Sequence, residues 1–457
     1  MANPERDGGT MDFMKPTVEQ GVAAATKRDP SLGPFVELAA NLLTAGEDID
    51  VLGQAYLQDT LWWRVPKRLD PDDWQDAVAG AAALLEGLGL DRYAEIARSD
   101  KTARILEAWG EGPESGHAEA LAARKASGLV APDLEEFAWG SIMGGEESDA
   151  LTAVEHALEA ELVRSGLRPD GAAWKRRALE VTAEVINRPV EFPPGQTRLT
   201  MIITDRVESW IGAVRVPQLQ RWRSEVANRL LNPIEPPEGV ETMLAPMLWL
   251  LGEAAEGANL TQSQYLTPVT VRAAAERFGW WDHDRAPRSE SEVHQLLLLR
   301  EAATRLRLTR RTGRTLKLTK LGASSLADPV SLWRLVVPSL RGGDEFEAMM
   351  AELVGMRMVE GDAVGDALAE ELMPVVNQLG WRTDEGSLDQ HEVGLSIWDR
   401  WHWWRVIGVM KYQMGRWAKD PFRRVEPPRA YLTEAGAVTV LAYLRLRAIA
   451  PQHDLAR

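Results

Sequence analysis

Cysteine is absent from this 457-residue chain, which excludes disulfides, thiolate metal sites and cysteine nucleophiles. Long apolar runs are also missing. The nearest, AVTVLAYLRLRAIA, is broken by Arg445 and Arg447 and falls short of the ~20 apolar residues that a membrane span requires. The opening MANPERDGGTMDF has neither a basic n-region nor an apolar h-region, so secretion by a standard signal is not expected. These absences together suggest a cytoplasmic protein.

The familiar catalytic signatures are missing too. There is no HExxH, GxSxG or phosphate-binding P-loop, and no GxGxxG ahead of a helix. Asp282, His283 and Asp284 stand together in WWDHDR, but such a cluster reads as a solvated turn rather than a metal site. LEEFAWGSIMGGEESD combines carboxylates and glycines without the lysine of a phosphate loop. No cofactor, metal or catalytic residue is expected from these patterns.

What is present is an ordinary globular composition, 45% hydrophobic and 26% charged, long enough for two to four domains. The formal net charge of -16 is confined to residues 1–242. Residues 243–457 carry equal numbers of acids and bases. A phosphate backbone needs positive potential at its contact, so any nucleic-acid site belongs in the second half.

Residues 1–30 mix Gly, Pro and charge without periodicity and read as a mobile arm. Helical spacing then dominates residues 31–240, an acidic helical region of one or two subdomains. PFVELAANLL, DPDDWQDAVAGAAALLEGLGL, SDKTARILEAW and DALTAVEHALEAELVRSGL are helices by pattern. In PDGAAWKRRALEVTAEVIN, Trp174, Ala178, Val181 and Val185 share one face. TRLTMIITDRV reads as a strand because of its β-branched run. NPIEPPEGVE, with Pro233, Pro236 and Pro237, is the clearest linker and sets a boundary near Val240.

The second half holds a repeat. AAAERFGWWD, a long helix and LKLTKLGASSL are followed by PVVNQLGWRTD, a longer middle section and AYLTEAGAVTV. Each copy runs from hydrophobe-Gly-Trp through a helix to a polar hairpin closing on Leu-Thr-x-x-Gly. Three helices and a hairpin, with Leu306, Leu308, Leu316 and Leu318 as apolar alternates, resemble the winged-helix superfamily. The pattern is also similar to poorly characterised actinobacterial proteins related to plasmid-encoded open-reading-frame products. The resemblance implies a mainly α fold, with one winged-helix-like module at residues 241–342 and a second at 343–457. It carries over no site residues.

RLRLTRRTGRTLKLTKLG, Arg305–Gly322, sets seven cations into the first hairpin. Arg305, Arg307, Arg310, Arg311, Arg314, Lys317 and Lys320 are the candidate nucleic-acid-binding residues, with Arg300 on the preceding helix as an addition. A wing of this kind lies along phosphates or a minor groove. The same charges on a solvated hairpin would merely deter edge pairing. In SESEVHQLLLLREAATRLRL, Leu296, Leu299, Ala302, Ala303 and Leu306 form the inner stripe. Glu290 and Glu292 stand at its start and argue against base reading by that helix.

IWDRWHWWRVIGVMKYQMGRW reads as one helix. Ile397, Trp401 and Trp404 line one face; Trp403, Ile407, Met410 and Met414 line the other. Core packing is the favoured reading, ahead of a dimer interface or base stacking. The leading functional expectation is a DNA-associated or regulatory protein acting through the second half. A protein-interaction scaffold, whose partner is another protein or a second copy, is the rival. An enzyme with its site in the first half is a third class.

Overall fold

A computed structural model describes residues 16–44, 52–169, 171–384, 386–413 and 429–452. The protein is mainly helical, with 68% helix and 8% strand in small sheets only. Among the described residues no helix is long and apolar enough to cross a membrane. The chain divides into two compact units. One runs to Ile202 and includes Pro451 and Gln452; the other spans Ile203–Ala450.

The first unit opens with α1 (Val18–Arg28) and α2 (Gly33–Thr44). Residues 16–30 are therefore not an arm, and residues 1–15 lie outside the described ones. Thr17 and Gln20 form a reciprocal capping box that starts α1. Gly21 then lets α1 pack so closely on its neighbour that a β-carbon there would sit 2.7 Å from the Leu88 side chain. A continuous helical stretch follows as α3 (Gln54–Asp59), a π-turn (Thr60–Arg64) and α4 (Val65–Arg68). Next come α5 (Trp74–Gly87), α6 (Asp91–Ala97), α7 (Asp100–Glu111) and α8 (Pro113–Ala126). Their apolar faces build one core, containing Trp62, Leu84, Leu85 and Ile105.

A second core forms around α9 (Gly145–Ser165) and α10 (Ala172–Asn187). Trp174, Ala178, Val181 and Val185 are all buried, as their spacing requires. The Trp174 indole donates to the Gly128 carbonyl at 2.9 Å, which satisfies its one polar atom.

The strand expected at TRLTMIITDRV is instead part of α11 (Arg198–Gly212). Thr197 and Thr200 exchange side-chain and backbone hydrogen bonds at its start, at 2.9 and 3.2 Å. Ile202, Ile203, Arg206, Val207 and Trp210 are then its buried set, a helical spacing that outweighs the strand preference of the isoleucines.

The unit boundary falls within α11, well before the proline-rich linker. The reason is packing after it. On α12 (Pro217–Leu230), Arg223 pairs with Glu352 at 2.7 Å, both nearly inaccessible to water. Arg206 donates to the Ile449 carbonyl at 2.7 Å. These buried polar contacts bind residues 203–240 into the second unit.

Beyond α13 (Val240–Met243) come two successions of elements alike in their helices and closing hairpin, the second with an isolated bridge at Ala363 where the first has a strand, and with an added small hairpin. The first is α14 (Ala245–Glu256), β1 (Ala258–Asn259), α15 (Pro268–Phe278), α16 (His294–Arg305), β2 (Thr309–Thr312) and β3 (Thr315–Leu318). Its sheet has the antiparallel order β1-β3-β2. After α17 (Lys320–Ala327) and α18 (Pro329–Ser339) come α19 (Glu345–Glu360), α20 (Gly365–Gln378) and a small hairpin, β4 (Arg382–Thr383) with β5 (Gly386–Ser387). Then follow α21 (Gln390–Val406), β6 (Met410–Gln413), β7 (Arg429–Leu432) and α22 (Glu434–Ala448).

The hydrogen bonds correspond too. Ala258 opposes Leu316 in the first succession, and Ala363 bridges Ala430 in the second. The Thr319 hydroxyl accepts from the Gly322 N–H at 2.9 Å, and the Thr433 hydroxyl accepts from the Gly436 N–H at 2.9 Å. A β-carbon at Gly322 would fall 2.0 Å from the Leu308 oxygen, and one at Gly436 would fall 1.7 Å from the Val409 oxygen. The Leu-Thr-x-x-Gly spacing is thus an N-cap followed by a helix pressed onto the chain entering the hairpin.

The tryptophan-rich helix ends earlier than its sequence suggests. α21 stops at Val406, Gly408 takes φ +80°, and Met410 begins β6. Ile397, Trp401, Trp404, Ile407 and Met410 are all buried. Met414 lies outside the described residues.

Candidate nucleic-acid interface

The first hairpin turns over two residues, Gly313 and Arg314, with Gly313 at φ +61° and open space around its α-carbon. Glycine suits such a position because it carries no β-carbon penalty there. Arg310 opposes Lys317, so these two cations share a face of the sheet. Arg311 opposes Leu316 at the same level of the hairpin, and is exposed where Leu316 is buried. Leu308 and Leu316 are buried; Leu306 and Leu318 are half-buried.

All seven candidates, Arg305, Arg307, Arg310, Arg311, Arg314, Lys317 and Lys320, are exposed. None makes an ion pair with a described carboxylate. Other exposed cations such as Arg104, Lys125 and Arg272 also lack such an ion pair, so what sets this group apart in an acidic chain is its clustering between Arg305 and Lys320. Arg28, Arg64, Arg98, Arg124, Arg177 and Arg223 each meet a carboxylate within 4 Å. The hairpin therefore presents uncompensated positive charge on a short three-stranded sheet.

Arg300 does not belong to this group. Its Nε donates to Glu290 at 2.6 Å, and Glu290 is fully buried while also accepting from the Leu266 N–H at 2.8 Å. Sequence spacing alone places Arg300 beside the basic run, but its partner sits ten residues earlier, in a short 3₁₀ turn, Glu290–Glu292. Glu292 accepts from Arg285 at 3.2 Å and from the Arg288 N–H at 3.0 Å. Both carboxylates expected to repel phosphate are consequently engaged, and α16 itself starts only at His294. The Arg285 and Arg288 contacts hold the Glu292 carboxyl below its usual range, the Arg288 N–H first.

A different feature limits base reading by α16. Its outward face, bearing His294, Leu298, Glu301 and Arg305, borders a cleft whose other wall is α21. The His294 and His402 rings lie 5.9 Å apart across it. Trp401 and Trp404, at 2% and 0% exposure, are core residues and offer no stacking surface. Rings that stay partly accessible lie elsewhere. Trp280 and Trp281 follow α15, with the Arg285 guanidinium 5.9 Å from the Trp281 centroid. The hydrophobe-Gly-Trp landmark was their sole signal in the sequence.

Among the described residues no group of three His, Asp or Glu is placed to hold a metal. Asp282, His283 and Asp284 are exposed, with His283 resting on the Trp281 ring at 4.5 Å. Comparison with family models, curated proteins and solved structures finds no match for this chain.

Proposed function

We propose that this is a nucleic-acid-associated protein that grips phosphates through the β2–β3 hairpin of a winged-helix-like module. The observation that carries the reading is the set of seven exposed, unpaired cations in a chain of net charge -16. The order helix, strand, helix, helix, strand, strand supports the winged-helix likeness of residues 241–342, and its partial recurrence, with an isolated bridge at Ala363 in place of the early strand and an added hairpin β4–β5, supports a second such module at 343–457. The cleft between α16 and α21 favours the hairpin over the helix as the contacting element. Binding through guanidinium and ammonium groups to phosphates is weakly sequence-selective and strongly salt-dependent.

The experiment is a fluorescence anisotropy titration of the full chain against labelled duplexes of unrelated sequence. Similar affinity for all of them, lost together when Arg310, Arg311 and Arg314 become Ala, is the expected result. Failure to bind any DNA or RNA at low salt would assign the hairpin to an acidic protein surface instead.

A further inference from the structure

The cleft between α16 and α21 encloses about 380 Å³, a size suited to a small molecule. Its most unusual wall residue is Arg400. The residue is 6% exposed, yet its guanidinium is poorly bonded. Its Nε has no hydrogen-bond partner. Its Nη1 reaches the Leu340 carbonyl only at 3.5 Å. Its Nη2 stands 3.8 Å from Glu347 Oε2, an oxygen already taken by the Gly343 N–H. Burial accordingly lowers the Arg400 pKa, while Glu347, Tyr443, Asp399 and Asp344 oppose that shift.

Buried guanidinium groups are rarely left with so few acceptors, because the desolvation cost is large. The group also lies at the cleft wall. A β-carbon at Gly342, another wall residue, would sit 2.7 Å from Arg400 Nη1. Leu298, Leu306 and Trp403 supply apolar surface beside it. Glu301 and Asp399 are exposed and line the same cleft, which disfavours a polyanion.

We propose that this cleft binds a small organic monoanion, a carboxylate with an apolar body, whose head bonds the Arg400 guanidinium while the body packs on Leu298, Leu306 and Trp403. A carboxylate fits the planar fork in a bidentate manner. The cleft shares Arg305 with the basic set, but its Arg400 head site stands whether or not the hairpin holds nucleic acid.

The test uses the full chain with benzoate, cyclohexanecarboxylate and 4-phenylbutyrate as probes, and benzamide and phenyl phosphate as controls. Thermal shift and calorimetric titration should show saturable binding of at least one carboxylate, and no comparable response to benzamide. Phenyl phosphate should bind more weakly than that carboxylate. Arg400→Met should fold, since it removes an under-bonded buried charge, and should weaken carboxylate binding by about tenfold or more. Leu298→Trp fills the cleft without touching the charge and should have the same effect. Equal responses to the carboxylate and benzamide, stronger binding of phenyl phosphate, or undiminished binding in both variants would overturn the proposal. So would the absence of saturable binding by all three carboxylates up to ~10 mM.

Discussion

Arg307 and Gly408 hold corresponding places, each one residue past the turn that ends the long helix and just before a hairpin strand, and both take left-handed backbone, φ +58° and +80°. Their amide groups bond equivalent helix carbonyls, Thr304 at 2.9 Å and Arg405 at 3.1 Å. Glycine adopts this conformation freely, whereas a residue with a side chain is strained by ~1 kcal/mol or more. Gly408 has a second constraint, since a β-carbon there would lie 2.0 Å from the Met243 oxygen. Arg307 keeps its side chain in the strained position, where it adds to the exposed basic set.

The two positions should therefore respond differently to substitution. Arg307→Gly relieves strain but adds unfolded-chain entropy, so stability should change by less than ~0.5 kcal/mol. Gly408→Ala should cost ~2 kcal/mol or more, through both the collision and the backbone angle. Urea unfolding of the two variants measures both. A large loss for Arg307→Gly would show that the arginine side chain supports the fold.

Trp401 and Trp404 are core elements of α21, and truncation of either to Ala should cost ~3–5 kcal/mol. Their indole nitrogens have no partner, so the loss comes from packing rather than from hydrogen bonds. Denaturant melts of the single variants test this. A loss under ~1 kcal/mol at both would place them at the surface.

The Glu290–Arg300 pair should behave as a structural tie. Glu290→Ala leaves Arg300 without its acceptor in a largely buried setting and should destabilise by ~3–5 kcal/mol. Replacing Arg310 instead should change stability by under ~0.5 kcal/mol, because that side chain is exposed and unpaired. Comparable losses at the two positions would contradict this division of the arginines.

Tyr93 in the first unit gives a pH test. Its hydroxyl donates to Glu159 at 2.9 Å. Burial, with Glu159 beside it, pushes its pKa up from 10.0 to about 12. A phenol with a raised folded-state pKa contributes stability that is present below its unfolded pKa. That contribution is lost as pH rises through the folded value, here between about 10 and about 12. Ultraviolet difference titration of the wild type against Tyr93→Phe should reveal a late-ionising phenol. Ionisation at the ordinary tyrosine value would show that this environment does not hold in solution.

Legibility in the sequence followed the range of the interactions involved. The Leu-Thr-x-x-Gly landmarks at Thr319–Gly322 and Thr433–Gly436 were visible because a cap hydroxyl and its N–H donor lie within one turn. The buried face of α10 was readable because helical spacing is local. The α11 segment was misread because its β-branched run was weighed without the Thr197–Thr200 cap that starts a helix. Arg300 was misassigned because its pairing with Glu290 depends on how a short turn folds onto α16. The cleft joins residues about a hundred positions apart, such as His294 and His402, and no spacing rule reaches it. Residues 203–240 likewise join the second unit through Arg223 and Glu352, a pairing that a proline-rich linker gives no reason to expect.

The central claim is that the β2–β3 hairpin contacts phosphates, and the salt dependence of duplex binding tests it most directly. Log affinity should fall linearly with log salt concentration, and each phosphate contact removed should reduce the slope by ~0.9. The account predicts that Arg310→Ala, Arg311→Ala and Arg314→Ala lower the slope stepwise as they are combined, with an unchanged unfolding midpoint. A slope unaffected by the triple substitution, at whatever affinity, would contradict it.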